Sequence, residues 1–472
     1  MKRTKIVATL GPASSSKDVL KGMILAGVNI FRLNFSHGAH EEHERVIRII
    51  EELNEEMNTH VGILADLQGP KIRIGEVENN GIELQSGDEI TITTDKVIGT
   101  KEKLYLNYES FPEDVQVGET ILLDDGKLTF EIIATDRKKE VKCKVVYGGI
   151  LSSKKGVNLP NTKISLPCLT EKDLKDLNFA LKLDVDWIGL SFVRSARDII
   201  ELKHLIFNSK KKAKVIAKIE KPEAVADIDD IMKETDAIMV ARGDLGVEIP
   251  LEEVPLVQKM LINKALLNAK PIIVATQMME SMITNNTPTR AEVNDVANAV
   301  LDGTDAVMLS GETSVGQHPV KVIETMSKIV MEIEKSENIY HKEEIPEKNQ
   351  ERFITDSICF NAVRLSQRVE AKGIVTMTHS GYTAYKVSSQ RPKGKIFVFT
   401  GNREILTQLN LVWGVNGYFY DKMVSTDHTI EDIKYLLKKE GLLEAGDLVI
   451  NIASMPIEKM GKSNMLKLST IE

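Results

Sequence analysis

One ammonium and two carboxylates stand out in the sequence by type and spacing. In Ile216-Ala217-Lys218-Ile219-Glu220, Lys218 and Glu220 lie two residues apart, so an extended backbone puts them on one face. Asp244 follows another apolar run in Arg242-Gly243-Asp244. Glu220 and Asp244 are hard oxygen donors. A sparse pair of this kind suits Mg²⁺, or Mn²⁺ in its place, with positions left for substrate oxygens and water. A compact ammonium beside such an ion, Lys218, could hold a phosphoryl group in transfer or a developing oxyanion. Arg32 could fork onto a phosphate, and Arg32, Asn34 and Ser36 share a face at the end of their own run. Gly243 admits a close approach of backbone, and the amides at 243 and 244 suit a carboxylate. Asp66, Thr276-Gln277 and Ser310-Gly311-Glu312 end three further runs. Together these groups describe a site for a small, doubly anionic substrate held on a divalent ion.

Each group alone has a plainer account. Asp66 or Asp244 could cap a helix, Lys218 and Glu220 could form an ordinary ion pair, and Arg32 could be structural. The functional reading rests on coincidence: the polar groups all fall at the same end of their apolar runs.

Those runs are Lys5–Leu10, Val28–Leu33, Val61–Asp66, Trp187–Phe192, Lys214–Ile219, Ala237–Ala241, Pro271–Ala275 and Ala306–Leu309. Each has the length of a buried parallel strand. Segments of helical length lie between most of them, such as Asp198–Phe207 and Glu41–Glu56, where Val46, Ile49, Ile50 and Leu53 recur at helical spacing. Eight strand–helix units predict a closed α/β barrel with its chemistry at the carboxyl ends of the strands. A doubly wound open sheet is the alternative. The rhythm breaks over Gly69–Leu166, where Ile82–Leu84, Glu89–Thr93, Thr120–Leu123, Leu128–Ile133 and Val141–Tyr147 read as short strands between turns. This is an inserted all-β domain, with Pro70 and Pro167 as rigid bends at its hinges. After a charged linker at His341–Arg352, a helix with Ile354, Ile358, Ala362, Leu365 and Val369 on its face is expected. Strands at Gly373–Met377, Lys395–Phe399, Asn416–Tyr420 and Asp447–Ile452 then predict an open, mostly parallel sheet.

Composition bounds the function. The chain has 472 residues and a net charge of −8, which argues against bulk nucleic-acid binding. There is no apolar run of membrane-spanning length and no apolar leader before Lys5, so a cytoplasmic protein is expected. Cys143, Cys168 and Cys359 are far apart and form no disulfide framework. A P-loop is absent. His37, His40 and His43 drift around a helix rather than converge on zinc. Ser209–Lys214 reads as a solvated turn, and Trp187 and Trp413 as packing residues.

The chain resembles the pyruvate kinase family from Thr4 to its end. The resemblance is carried by Lys5-Ile6-Val7-Ala8-Thr9-Leu10-Gly11-Pro12-Ala13-Ser14, Asn34-Phe35-Ser36-His37-Gly38, Lys154-Lys155-Gly156-Val157-Asn158-Leu159-Pro160 and Ala217-Lys218-Ile219-Glu220. Met239–Gly246, Ala275–Met278 and Pro288-Thr289-Arg290-Ala291-Glu292 add to it. It implies a (β/α)8 TIM barrel over 1–69 and 168–342, an inserted small β-barrel lid at 70–167 and a C-terminal α/β open-sheet regulatory domain at 343–472. It implies phosphoryl transfer from phosphoenolpyruvate to ADP, giving pyruvate and ATP in glycolysis, by a homotetramer. Glu220 and Asp244 would bind the divalent metal, Lys218 would stabilise the moving phosphoryl group, and Arg32 would hold the substrate phosphate. Gly243, Asp244 and Thr276 would position the carboxylate and the reacting carbon. The sequence leaves the proton donor to the enolate open; Thr276 acting through water is the candidate taken. Asn34, His37, Arg73 and Lys155 would serve the nucleotide.

One departure is informative. Many relatives have Asp-Thr-Lys-Gly-Pro-Glu where this chain has Asp66-Leu67-Gln68-Gly69-Pro70-Lys71. That is where a monovalent cation sits, in a pocket that here would draw on Asn34, Ser36, Asp66 and Leu67. The ammonium of Lys71 can stand in for K⁺, and both together would repel. Activity without added K⁺ is therefore expected. In the last domain, Thr378-His379-Ser380-Gly381-Tyr382-Thr383 lies between a strand and a helix, and its hydroxyls and amides suit the phosphate of an allosteric effector. An ordinary strand–helix turn is the plainer account. No further domain is expected after Glu472. Two rival functions are weighed. A metal-dependent lyase would leave Arg73 and Lys155 without purpose. An inactive phosphometabolite-binding paralogue would normally have lost Lys218, Glu220 or Asp244.

Overall fold

A computed structural model of the chain describes residues 2–342, 344–349, 351–422, 425–456 and 461–472. Eight parallel strands close into a barrel: β1 (Lys5–Thr9), β2 (Ile30–Asn34), β3 (Gly62–Asp66), then, beyond the insertion, β12 (Trp187–Leu190), β13 (Lys214–Ile219), β14 (Ala237–Ala241), β15 (Ile272–Ala275) and β16 (Ala306–Leu309). The order around the barrel is β1-β16-β15-β14-β13-β12-β3-β2. Both faces of these strands are apolar because one face lines the interior and the other receives the helices. Val7, Ile30, Leu64, Trp187, Ile216, Ile273 and Met308 form the inner core. Ile6, Phe31, Ile63, Ile188 and Val215 pack outward against the helices.

This alternation decides the active end. The period of two carries Ile30 to Arg32, Leu64 to Asp66 and Ile216 to Lys218 on the same inward face. Arg32, Asp66 and Lys218 are therefore delivered to the barrel mouth by strands whose earlier residues are fixed by packing. The opposite end is plugged by the last domain, whose Leu411 joins the inner core. Burial of a leucine side chain contributes roughly 1.5–3 kcal/mol. Lys5 Nζ donates to the Val415 carbonyl at 2.8 Å and ties the same junction.

The inserted segment has its own apolar core, which includes Ile92, Phe111, Ile121, Phe130 and Val141. It contains β4 (Gly81–Leu84), β5 (Glu89–Thr93), β6 (Lys103–Tyr105), β7 (Thr120–Leu123), β8 (Leu128–Thr135), β9 (Glu140–Tyr147), β10 (Gly149–Ser152) and β11 (Val157–Asn158). A six-stranded sheet, β11-β7-β8-β9-β5-β6, and a two-stranded ribbon, β10-β4, wrap this core. Isolated bridges at Arg73–Gly156, Ile74–Leu106 and Val77–Gly99 stitch the segment further.

The last domain is a five-stranded sheet in the order β19-β18-β17-β20-β21, from β17 (Gly373–Met377), β18 (Lys395–Thr400), β19 (Val415–Phe419), β20 (Leu448–Ala453) and β21 (Met465–Thr470). Helices cover both faces. Cys359, Ala362, Val363 and Val387 pack on one side, Ile430, Ile433 and Leu437 on the other. In the first helix, Phe353–Arg368, and just after it, Ala362 is buried and Ile358, Leu365 and Val369 pack against the core as expected, but the first-turn position differs. Ile354 is 69% exposed, and Thr355, Cys359 and Val363 are buried in its place. Among the described residues, no helix is long and apolar enough to cross a membrane.

Candidate active site

The barrel mouth holds a chain of alternating charges. Arg32 Nε donates to Asp66 Oδ2 at 2.6 Å, and Arg32 Nη1 to Thr9 Oγ1 at 2.9 Å. Asp66 Oδ1 lies 3.3 Å from Lys218 Nζ, which lies 3.0 Å from Glu220 Oε1. Lys218 also donates to Ser191 Oγ at 2.6 Å, and Ser191 donates in turn to the Leu67 carbonyl at 2.6 Å. Glu220 Oε2 accepts from the Phe192 amide at 2.7 Å. Phe192 adopts a left-handed φ of 54°, a conformation costly for a bulky residue and typical of a constrained functional turn.

Burial sharpens these interactions. Asp66 and Glu220 are each 1% exposed and Lys218 is 8% exposed. Burial pushes the Asp66 carboxyl up, but Lys218 and Arg32 outweigh it and hold the group below the usual carboxylate range. Burial would also lower the Lys218 ammonium, yet Asp66 and Glu220 raise it, so it stays charged. Glu220 is raised, first by burial and, against the pull of Lys218, by the like charge of Asp244. A cation bound between Glu220 and Asp244 would remove that repulsion. The donor set thus fits Mg²⁺, with two carboxylates and open positions. Among the described residues no cluster of three or more acidic, His or Cys side chains offers a closed metal cage.

Asp244 and Gly243 begin the helix Arg242–Glu248 directly after β14. The Gly243 amide donates to Thr276 Oγ1 at 2.8 Å, and Thr276 Oγ1 donates to the Ala275 carbonyl at 2.6 Å. Thr276 and Gln277 have left-handed φ values of 68° and 54° in succession. Arg242 holds this strained turn. Its Nη2 donates to the Thr276 carbonyl at 2.6 Å and its Nε to the Ala275 carbonyl at 3.1 Å. Arg242 in turn pairs with Asp295 through both oxygens, at 2.7 and 2.8 Å. Asp295 rides on the helix Arg290–Asp302, which Thr289 and Glu292 start with a capping box. The motif Pro288–Glu292 is thus a helix start that places Asp295.

The remaining expected residues fall in several places. Asn34 Oδ1 accepts from the Ser36 amide at 3.1 Å, closing the turn after β2, and His37 is exposed there. Arg73 and Lys155 belong to the inserted segment. Arg73 Nη1 donates to the Lys154 carbonyl at 3.0 Å, and Lys155 Nζ lies 2.8 Å from Asp124 Oδ1. Lys71 lines the cleft between insertion and barrel, together with Asp125, Gly156 and Asp244. Thr378, His379, Ser380 and Thr383 line a cavity of about 630 Å³ in the last domain, with Arg352 and Tyr382. Gly381 turns that loop with a φ of 81°, its amide donating to Thr378 Oγ1 at 3.0 Å.

Glu312 is a correction. Expected as part of the polar rim, it is buried and turned inward, accepting from the Ser310 amide at 2.7 Å and the Met279 amide at 3.1 Å. It braces two rim turns instead of facing a substrate. The histidines diverge: His40 pairs with Asp176 at 2.7 Å and stacks on Phe179, and His43 bonds the His37 carbonyl at 3.0 Å. Sequence reasoning missed Ser191, Gly189, and the Arg242–Asp295 pair. The serine follows the apolar stretch Trp187–Leu190 and was read as part of a strand, although a hydroxyl at a rim position was a usable signal.

Comparison with known proteins identifies the family and the fold. The family model for the pyruvate kinase barrel domain matches residues 1–323, and that for the pyruvate kinase alpha/beta domain matches 356–469. The chain is 44% identical to a pyruvate kinase of Geobacillus stearothermophilus over 474 residues, covering 100% of this chain and 80% of that protein. It is 45% identical to a pyruvate kinase of Corynebacterium efficiens over 466 residues, covering 98% and 97%. The crystal structure of a pyruvate kinase from Cryptosporidium parvum superposes with a TM-score of 0.92 at 36% identity, covering 100% of this chain and 96% of that one. With both family models matched, and with full-length relatives well above 30% identity, the chain belongs to the pyruvate kinase family and is a phosphotransferase.

Proposed function

We propose that the protein transfers the phosphoryl group of phosphoenolpyruvate to ADP, giving pyruvate and ATP, as a cytoplasmic enzyme of glycolysis. The observation that carries this is the Arg32–Asp66–Lys218–Glu220 chain at the barrel mouth, next to Asp244 and Thr276. Arg32 spends two N–H groups on Asp66 and Thr9, which fixes the guanidinium and leaves its other donors for the substrate phosphate. Lys218 stays protonated and takes the charge of the phosphoryl group in flight. Glu220 and Asp244 would hold Mg²⁺ or Mn²⁺, which would neutralise charge on the substrate oxygens. The Gly243 and Asp244 amides and Thr276 seat the carboxylate end. The product carbon takes its proton from a solvent water positioned by Thr276, whose hydroxyl exchanges protons with that water.

The division into a barrel at 1–69 and 168–342, a lid at 70–167 and a regulatory domain at 343–472 belongs to the same reading, supported by an apolar core of its own in the insertion and by two cores on either face of the last sheet. Asn34 and His37 on the rim and Arg73 and Lys155 on the lid would receive the nucleotide from two sides. Lys71 takes the place of a monovalent cation beside Asn34, Ser36, Asp66 and Leu67. The cavity at Thr378–Thr383 takes a phosphorylated allosteric activator. A homotetramer fits the exposed Leu251 and Leu256 near the start of the helix Val254–Leu267.

The test is a coupled assay that follows pyruvate with phosphoenolpyruvate, ADP and Mg²⁺. Turnover is expected for the full chain and loss of about a thousand-fold or more for Lys218→Met, the scale of a lost transition-state charge. Turnover undiminished in Lys218→Met would overturn the assignment.

A further inference from the structure

The cleft between the inserted domain and the barrel contains a buried ion pair that the reaction scheme leaves unused. Lys221 Nζ lies 2.6 Å from Glu248 Oε1, and the two side chains are 8% and 1% exposed. Asn158 Nδ2, from the inserted domain, donates to the same Glu248 oxygen at 2.7 Å. The other oxygen, Oε2, is buried with no hydrogen-bond partner. Asn158 sits on β11, which pairs with β7 and is bonded through Val157 to the Ile72 carbonyl, all within the insertion, so its side chain moves with the insertion.

The placement of this triad is specific. Lys221 follows Glu220 directly in the chain. Glu248 lies four residues after Asp244 on the helix Arg242–Glu248, so the two acids share one face of it. Asp244, Glu248, Lys221 and Asn158 all line the same cleft. One barrel segment thus carries the candidate metal ligand Glu220 next to Lys221, and the other carries Asp244 with Glu248, which bonds the insertion through Asn158 and the first segment through Lys221. A buried ion pair is no better for stability than an apolar contact of the same volume. It differs in that water can replace its hydrogen bonds when the two bodies separate, which suits a surface that must open. The open acceptor Oε2 costs stability when left unpaired, and such costs persist where a site uses them.

We propose that Asn158, Glu248 and Lys221 form a polar latch. The latch holds the inserted domain over the barrel mouth, and Glu248 and Lys221 act as positioning residues that couple its closure to the segments bearing Asp244 and Glu220. The inference rests on the reading of 70–167 as a lid that carries the nucleotide.

The test uses the full chain with Mg²⁺. Asn158→Ala is expected to raise the KM for ADP roughly ten-fold, the scale of one lost hydrogen bond to a charged group. Affinity for phosphoenolpyruvate and Mg²⁺, measured calorimetrically without ADP, should stay within about two-fold, since the barrel half is intact. Asn158→Asp sets two carboxylates against each other and should do worse. Adding Glu248→Gln to Asn158→Asp exchanges donor and acceptor, keeps a carboxylate for Lys221, and should recover most of the loss. Wild-type KM values for ADP in both single variants, or no recovery in the double variant, would overturn the latch. Hydrogen–deuterium exchange at the hinge Gly69–Lys71, without substrates, separates the latch from the reaction. Faster exchange in Asn158→Ala supports the latch even for a chain that fails to turn over phosphoenolpyruvate, and unchanged exchange overturns it.

Discussion

Asp66 and Lys218 lie 3.3 Å apart although their strands, β3 and β13, are not neighbours. The strand between them, β12, carries Gly189 opposite Asp66. A Cβ at Gly189 would lie 3.0 Å from Asp66 Oδ1. The absent side chain is what lets a lysine reach across one strand to an acid on the next but one.

Gly189→Ala should therefore damage catalysis out of proportion to its size. Asp66 cannot move freely, because Arg32 grips its other oxygen at 2.6 Å, so a Cβ pressing on Oδ1 strains the whole pair. A shift forced on Asp66 Oδ1 is passed to Lys218, which it contacts at 3.3 Å, and small misplacements of a reacting group cost about ten- to a hundred-fold in rate. We expect kcat to fall by about that factor while the thermal midpoint shifts little. Steady-state kinetics and a thermal melt check this together. An unchanged kcat would mean that Asp66 has more freedom than its contacts indicate.

Arg242 gives a second prediction. It holds the carbonyls of Ala275 and Thr276 and is itself locked by Asp295. Lysine keeps the charge but loses the planar fork. Arg242→Lys should relax the left-handed turn at Thr276 and Gln277, lowering kcat about ten-fold with a smaller change in KM for phosphoenolpyruvate. Asp295→Asn should give the same pattern more weakly, since it leaves the arginine and its carbonyl contacts in place.

The barrel and the charged pair Lys218–Glu220 were legible because both follow from local periodicity. Strands apolar on both faces mark themselves, and a two-residue spacing fixes a shared face. Groups whose partner is chosen only when the barrel closes were not legible. Nothing near Gly189 in sequence points to Asp66, and nothing near Arg242 points to Asp295. Glu312 looked like its rim neighbours by position, but its turn aims it at backbone amides. The short strands β6, β10 and β11 carry too few residues to show alternation, and β21 is an antiparallel edge strand that depends on β20 for its pairing. Ile354 fitted the stripe that Ile358, Ala362 and Leu365 continue into the core, yet at the first turn of the helix it lies outside the packed face.

Lys71 gives a third prediction. Lys71 lines the cleft between the insertion and the barrel, and in the proposed reading its ammonium takes the place of a monovalent cation. Assayed in tetramethylammonium buffer, the protein should keep most of its activity, with K⁺ adding less than about two-fold, because a resident ammonium excludes a second cation nearby. Lys71→Glu should need K⁺ for activity. A strong K⁺ activation of the unaltered chain would refute the substitution.

A fourth prediction concerns the junction of the barrel with the last domain. Asp186 stands just before β12, where Oδ2 accepts from the Ile63 amide at 2.7 Å and Oδ1 accepts from the Thr407 hydroxyl. Burial pushes its carboxyl up to about 6, against the hydrogen bonds that lower it. An acid raised on folding favours the folded state while protonated. Its contribution is complete below the unfolded carboxyl range near pH 4 and is lost as pH rises through about 6. Because the side chain retains some exposure, solvent screening reduces the effect to the order of 1 kcal/mol. Asp186→Asn removes the titration and keeps an acceptor for the Ile63 amide. The stability of the natural chain relative to this variant should therefore decline between pH 4 and pH 7 by about 1 kcal/mol and stay level above that range. Calorimetric unfolding of both chains across that interval measures the difference directly. A relative stability that rises with pH would show that the folded carboxyl titrates below its unfolded value and that the Thr407 and Ile63 hydrogen bonds outweigh burial.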